Sequence, residues 1–117
     1  MTKYLYLFRG GDKRMSEMSP EEQQKHMGEW TTWMNGLAEK GQLIDGLPLH
    51  GDGKQVSKNG TLVTDGPFAE GAELVGGYLM VKANSLDEAT EMSKGCPMLQ
   101  FDEGHIEIRQ ILDLQDY

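Results

Sequence analysis

Two segments with the pattern Ser-x-x-Glu limit the fold of this chain more than any other feature. Ser19-Pro20-Glu21-Glu22 and Ser85-Leu86-Asp87-Glu88 each place a serine three residues before a glutamate, which is the capping box that begins a helix. Pro20 supports the first of them, because its fixed φ suits the first helical position. We therefore predict a helix from Ser19 to a glycine cap at Gly41, and a shorter one from Ser85 to about Lys94.

Segments with strand-like alternation surround both helices. We predict strands at 3–8, 43–50, 54–57, 61–64, 73–83 and 104–112. Asn59-Gly60 is typical of a tight turn and makes 54–57 and 61–64 a hairpin. The order of elements is that of an α+β fold with a ferredoxin-like split βαβ sheet, into which the hairpin is inserted.

Length, charge and cysteine content restrict the class of protein. A chain of 117 residues suits a single domain spanning 1–117. The net charge of -8 argues against nucleic acid as a partner. No apolar stretch is long enough for a membrane span or a signal peptide, and the lone Cys96 fits a reducing compartment as a small buried residue. We expect a cytoplasmic protein without a membrane partner.

Two helices can cover only one face of such a sheet. We predict that they cover the aliphatic strand positions Leu5, Leu7, Leu79, Val81, Ile106 and Ile108. The opposite face would then carry Tyr4, Tyr6, Phe8, Tyr78, Met80, His105, Glu107 and Arg109. That face is too apolar to remain in water, so we predict a homodimer in which two such faces enclose an internal cavity.

Asp65 lies in the segment TDGPFAE, residues 64–70, directly before Gly66 and Pro67. In one interpretation its carboxylate accepts backbone N–H bonds and stabilises a turn. In the other it lines the cavity as a general base in apolar surroundings.

His26 lies at the edge of the apolar stripe of the first helix, one turn before Trp30. A lone histidine there is either a packed, hydrogen-bonded side chain or, if Asp65 reaches it, a group that moves a proton at neutral pH. The strand residues His105, Glu107 and Arg109 share one face. They form either an ion pair between subunits or an anchor in which Arg109 binds a carboxylate of a small acidic molecule.

Motifs for bound metals and cofactors are lacking in the sequence. The three histidines do not stand at a helix-face spacing and there is no cysteine cluster, so we predict no metal site. Neither Gly-x-Gly-x-x-Gly nor Gly-x-x-x-x-Gly-Lys occurs, so we predict no nucleotide cofactor.

Three segments together resemble a known family. VTDGPFAE, GGYLMVKANSLDEATEMSKGCP and the final HIEIRQI are similar to the DGPF group of the YCII-related proteins, and the resemblance covers nearly the whole chain. It implies a dimeric α+β barrel and an acid–base site made by a histidine and an aspartate. Counted from Gly41, the family's histidine falls at Trp30, one turn after His26. The sequence after Phe68 also departs from the family pattern, which often has a lysine there.

Our leading hypothesis is a cofactor-independent isomerase or lyase that acts on a small acidic or cyclic molecule. Asp65 or His26 would move the proton, while Arg109, Tyr78, Tyr6 and His105 would bind the substrate beside Tyr4. The alternative is a non-catalytic module that binds a ligand or a partner protein. In that case the DGPF turn serves only folding and dimerisation.

Overall fold

The computed structural model describes residues 1–10, 17–66 and 74–116. Its strands are β1 (Thr2–Arg9), β2 (Leu43–Pro48), β3 (Gly53–Ser57), β4 (Leu62–Gly66), β5 (Val75–Ala83) and β6 (His105–Gln110). Its α-helices are α1 (Pro20–Glu39) and α2 (Leu86–Ser93). Two short 3₁₀ helices follow at Pro97–Gln100 and Leu114–Asp116.

Both helices begin where the capping signals predict. The Ser19 hydroxyl accepts a hydrogen bond from the Glu22 amide at 3.2 Å, and the Ser19 amide donates to the Glu22 carboxylate at 3.4 Å. The Ser85 hydroxyl likewise accepts from the Glu88 amide at 3.1 Å. Gly41 has a φ of 71°, which is the left-handed conformation expected after the end of α1.

Four strands form the main sheet in the order β2-β5-β1-β6, and every neighbouring pair is antiparallel. This order, with the helices after the first and third of these four strands, is the ferredoxin-like arrangement and confirms the predicted α+β fold class. The hairpin of β3 and β4 forms a separate two-stranded sheet, as predicted. No helix in the described part of the chain is long and apolar enough to cross a membrane.

The prediction of which β1 residues face the helices was wrong. Tyr6 pairs with Leu79 on one side and with Ile108 on the other, so these three side chains share a face. The residues buried on this face are Tyr4, Tyr6, Phe8, Leu79, Val81 and Ala83. Leu5 and Leu7 therefore lie on the open face. Alternation along a strand determines which residues share a face, but it does not determine which face meets the helices when both are apolar.

Tyr6 lies at the centre of the core. It is fully buried, its ring stacks on Trp33 with centroids 6.2 Å apart, and its hydroxyl donates a hydrogen bond to the Ala89 carbonyl of α2. Burial raises the pKa of this phenol well above its ordinary value, so the hydroxyl keeps its proton and its donor role. Tyr6 thus connects β1 to both helices. Its predicted place on an open sheet face was wrong.

Candidate functional site

A cavity of about 400 Å³ lies between α1 and the part of the sheet where β2 meets β5. This volume falls within the range of roughly 300 to 1,000 Å³ that is usual for small-molecule sites. Its wall is mainly apolar and includes Phe8, Met27, Trp30, Met34, Leu47, Pro48, Leu49, Leu74, Leu79, Met98 and Phe101. The cavity is therefore suited to a small, largely apolar ligand.

Glycines let the two strands of the cavity floor approach each other. A Cβ atom at Gly77 would lie 3.1 Å from the Leu47 carbonyl oxygen and 3.2 Å from the Pro48 Cα. A Cβ at Gly46 would clash with the backbone of Tyr78. The lack of a side chain at Gly77 thus lets the backbone of β2 lie close to β5.

His26 is the buried polar residue of the cavity wall. Only 3% of it is exposed, and it packs against Phe101 with ring centroids 4.9 Å apart. Its Nε2 accepts a hydrogen bond from the indole Nε1–H of Trp30 at 2.9 Å. Its Nδ1 is buried and has no hydrogen-bond partner among the described residues. An unpaired buried polar atom is costly, which marks this nitrogen as a candidate contact for a ligand.

The contact with Trp30 determines where the imidazole carries its hydrogen. An indole N–H can only donate, so Nε2 has to be unprotonated, and a neutral imidazole then bears its hydrogen on Nδ1. Burial lowers the pKa of His26 below its ordinary value, while the negative charge of Glu29 acts weakly in the opposite direction. His26 is therefore a neutral hydrogen-bond donor at physiological pH.

Charged side chains are lacking in the described part of the cavity wall, which contains no Lys, Arg, Asp or Glu. The polar side chains there, besides His26, are those of Thr31 and His50. Tyr78 also belongs to the wall, although its pairing with Leu7 places its side chain on the open face of the sheet. The Thr31 hydroxyl already donates to the Met27 carbonyl of its own helix at 3.0 Å. His50 is exposed at the rim, so it can exchange protons with water.

Two of the predicted site residues, His26 and Tyr78, belong to this cavity wall. Asp65 does not. It lies on the β3–β4 hairpin, where its carboxylate is 90% exposed and pairs with Lys54 on the opposite strand at 2.7 Å. The structure thus shows a cross-strand ion pair, which neither interpretation of Asp65 anticipated. The turn predicted around Pro67 lies outside the described residues.

Arg109 and His105 lie on the open face of the sheet and are absent from the described cavity wall. Arg109 is opposite Leu5 in the register and contacts the Glu107 carboxylate at 3.6 Å. Glu107 also pairs with Arg9 at 3.3 Å. These two ion pairs lie within one chain, and the predicted pairing between subunits stays a prediction. Tyr6, predicted to bind substrate, is enclosed in the core and separated from the described wall.

Trp30 and Phe101 are site residues that the sequence interpretation missed. The sequence interpretation gives Trp30 no role in the site, although its spacing of four residues from His26 places the two rings on one helix face. Phe101 follows the second helix by several residues, and no local pattern connects it to His26.

Within the described ranges, no three His, Cys, Asp or Glu side chains cluster as metal ligands.

Comparison with known proteins determines the family. The model of the YCII-related domain matches residues 3–115. The chain belongs to the YCII-related domain family. This confirms the resemblance seen in the DGPF, Gly-Gly-Tyr and Cys-Pro segments. No curated protein sequence matches the chain.

Among solved structures, the YCII-related chain is similar to 5-chloro-2-hydroxyhydroquinone dehydrochlorinase from Burkholderia phenoliruptrix, in complex with 2,5-dihydroxybenzoquinone. The two share 12% sequence identity over 97% of each chain, with a TM-score of 0.56. At this identity the similarity demonstrates a common fold.

Proposed function

We propose that this YCII-related protein is a cofactor-independent isomerase or lyase that moves a proton on a small cyclic molecule bound in the cavity. The observation that carries the proposal is His26, whose buried Nδ1 is unpartnered among the described residues in a mainly apolar wall. A titratable group in such surroundings is typical of catalytic sites. The dehydrochlorinase of similar fold, which acts on a cyclic compound, supports this class of reaction.

The cavity wall contains two imidazoles in different surroundings. His26 is buried and neutral, whereas His50 is exposed at the rim. Acid–base enzymes often give two titratable groups different roles through their different environments. In this proposal His26 contacts the reacting molecule and His50 exchanges the proton with water. Asp65 stays a candidate base only if an assembly brings its hairpin over the cavity of another chain.

The same proposal includes a homodimer formed through the open face of the sheet. Leu5, Leu7, Tyr78 and Met80 lie on this face, which neither helix covers. The radius of gyration is 15.8 Å, compared with about 13 Å for a compact domain of this length, so the single chain is unusually spread out. A second copy would cover the open face and place Arg109 and His105 at the interface. Binding of a small acidic molecule there stays a prediction.

A non-catalytic ligand-binding protein is the second candidate. The position of Asp65 favours it, since the predicted catalytic pair with His26 does not form within one chain. The two candidates predict the same cavity occupancy but differ in turnover.

Proton exchange in D₂O distinguishes them. The protein is incubated with cyclic ketones, lactones, hydroxyquinones and cyclic carboxylic acids, and loss of carbon-bound proton signals is followed by ¹H NMR. Release of chloride is measured for chlorinated members of the set. An enzyme increases exchange or elimination above the buffer rate, and His26→Phe abolishes the increase. Leu86→Met, at an exposed position of α2 outside the described wall, retains it. Binding without any exchange or elimination supports the non-catalytic protein and contradicts the enzyme.

A further inference from the structure

The hydrogen-bonding state of His26 restricts what the cavity can recognise. Nε2 is occupied by the Trp30 indole, which lies one helical turn away. Nδ1 therefore carries the hydrogen, and since no described residue offers it an acceptor, an acceptor atom on a ligand can complete its hydrogen bonding. A carbonyl oxygen is such an acceptor, because it offers two lone pairs and needs no proton of its own.

The wall also selects against charged ligands. The described wall contains no lysine or arginine that could pair with a carboxylate. Moving an unpaired carboxylate from water into an apolar cavity is expensive. The net charge of -8 adds a repulsive field that acts on anions as they approach. A neutral acceptor avoids each of these costs.

The shape of the wall favours a flat ring. Phe8 and Trp30 contact edge to face with centroids 5.0 Å apart, and Phe101 lies against His26 on the same wall. Aromatic faces and edges pack well on flat rings. A planar ligand can therefore contact these rings while presenting an oxygen in its own plane to an N–H donor.

We propose that the cavity binds an uncharged flat ring bearing a carbonyl oxygen that accepts a hydrogen bond from His26 Nδ1. Trp30 is the positioning residue that holds the imidazole in the required tautomer. This inference rests on the cavity assigned in the proposed function and names its substrate class. In a proton-transfer reaction His50, to which the proposed function assigns proton exchange, takes the proton from the adjacent carbon, and the His26 Nδ1–H donates to the enolate oxygen that forms, as neutral imidazoles do elsewhere.

Three probes of similar bicyclic shape test the ligand class on the wild-type protein. Naphthalene lacks an acceptor, coumarin is an uncharged lactone with a ring carbonyl, and coumarin-3-carboxylate adds a negative charge to it. Dissociation constants are measured by ligand-observed NMR titration. We expect coumarin to bind at least about tenfold more tightly than either of the others, as one hydrogen bond to a buried unpaired donor implies. Equal or tighter binding of the carboxylate overturns the proposal, as does failure of coumarin to bind.

The role of Trp30 is tested with a matched pair of variants. Trp30→Phe removes the indole donor of the cavity wall. Trp33→Phe removes an indole that donates to the Met92 carbonyl at 3.0 Å and does not belong to this wall. The imidazole tautomer is determined by ¹⁵N NMR on histidine-labelled protein, with His50→Gln and His105→Gln used for assignment.

We expect His26 to carry its hydrogen on Nδ1 in the wild type and in Trp33→Phe, and to lose this preference in Trp30→Phe. The preference for coumarin over naphthalene should fall in Trp30→Phe and disappear in His26→Phe. A wild-type tautomer with the hydrogen on Nε2 overturns the proposal without any variant. Proton exchange on charged substrates alone would refute the ligand class while leaving the enzyme proposal intact. Coumarin binding without exchange or elimination on any member of the substrate set would refute the enzyme proposal while leaving the ligand class intact.

Discussion

The indole Nε1 of Trp30 lies 2.9 Å from Nε2 of His26, one helical turn away on the same face of α1. This contact turns a buried histidine into a neutral donor with a defined tautomer. It also explains how the chain accommodates an imidazole that is only 3% exposed in a mainly apolar wall. The same helix face thus supplies both the packing of the core and the polar group of the candidate site.

Stability should fall as pH decreases from about 7.5 to 5.5, and His26 should contribute to the fall. An unfolded histidine titrates near 6.5, whereas burial lowers the pKa of His26 in the folded protein and Glu29 opposes this only weakly. Between these two values the unfolded chain binds more protons, so the free energy of unfolding increases with pH. Urea denaturation at several pH values measures it.

His26→Phe should flatten this pH dependence, whatever its effect on absolute stability. His105→Gln is the matched control, because it replaces an exposed histidine on the other face of the sheet. A His26→Phe profile parallel to that of the wild type would show that His26 is not desolvated.

Tyr6→Phe should destabilise the protein by about 1 to 3 kcal/mol, since it removes the buried hydrogen bond from the Tyr6 hydroxyl to the Ala89 carbonyl. Tyr4→Phe is the control. Tyr4 lies two residues away on the same face of β1, and in the described part of the chain its hydroxyl has no hydrogen-bond partner. Chemical denaturation compares the two. Equal losses of unfolding free energy in the two variants would mean that the hydrogen bond of the Tyr6 hydroxyl adds no stability.

Cys96 should be unreactive in the folded protein. It is buried, and burial raises the pKa of its thiol to about 12. At pH 8 its reaction with a disulfide reagent should be roughly a thousandfold slower than that of an exposed thiol, because thiolate is the reacting form. Full reaction is expected in denaturant. Rapid labelling of the native protein would contradict the burial of Cys96.

Leu7→Arg should disrupt the proposed homodimer by placing a charge in the open sheet face. Size-exclusion chromatography with light scattering distinguishes a 13.1 kDa chain from a species of twice that mass. Leu99→Arg is the control, since Leu99 is an exposed leucine of the 3₁₀ helix Pro97–Gln100, which contacts α1. A monomeric wild type would refute the dimer, and an unchanged dimer in Leu7→Arg would refute this interface.

Replacement of Ser19 by alanine should cost about 1 kcal/mol, because it removes the hydroxyl that accepts from the Glu22 amide at the start of α1. Thermal unfolding followed by circular dichroism measures the loss. Thr31→Ala tests whether any exposed hydroxyl on this helix has the same effect, since Thr31 donates only to the Met27 carbonyl within the helix. Similar losses would argue against a specific capping role.

The elements of the fold could be predicted because their signals are local. A capping serine with its glutamate, a glycine after a helix, Asn-Gly in a hairpin and alternation along a strand each act over a few residues, and each led to a confirmed element. The order of these elements then predicted the ferredoxin-like sheet. Family membership followed in the same way from contiguous segments such as DGPF.

The candidate site could be predicted only in part, because its residues meet through packing. Helix spacing was enough to select His26, but the contact with Phe101 depends on how the segment after α2 folds back onto α1. Asp65 shows the converse. Its segment carries the DGPF motif of the family and offered a candidate base, yet the hairpin register pairs Asp65 with Lys54.

The two apolar faces of β1 show where local information ends. Alternation separates Tyr4, Tyr6 and Phe8 from Leu5 and Leu7 without ambiguity, and either set is apolar enough to form a core. The choice depends on shape. The aromatic set fits against Trp30 and Trp33 of α1, and the Tyr6 hydroxyl reaches the Ala89 carbonyl of α2. Such long-range contacts exist only once the helices pack on the sheet, so no pattern within β1 could reveal which face they would cover.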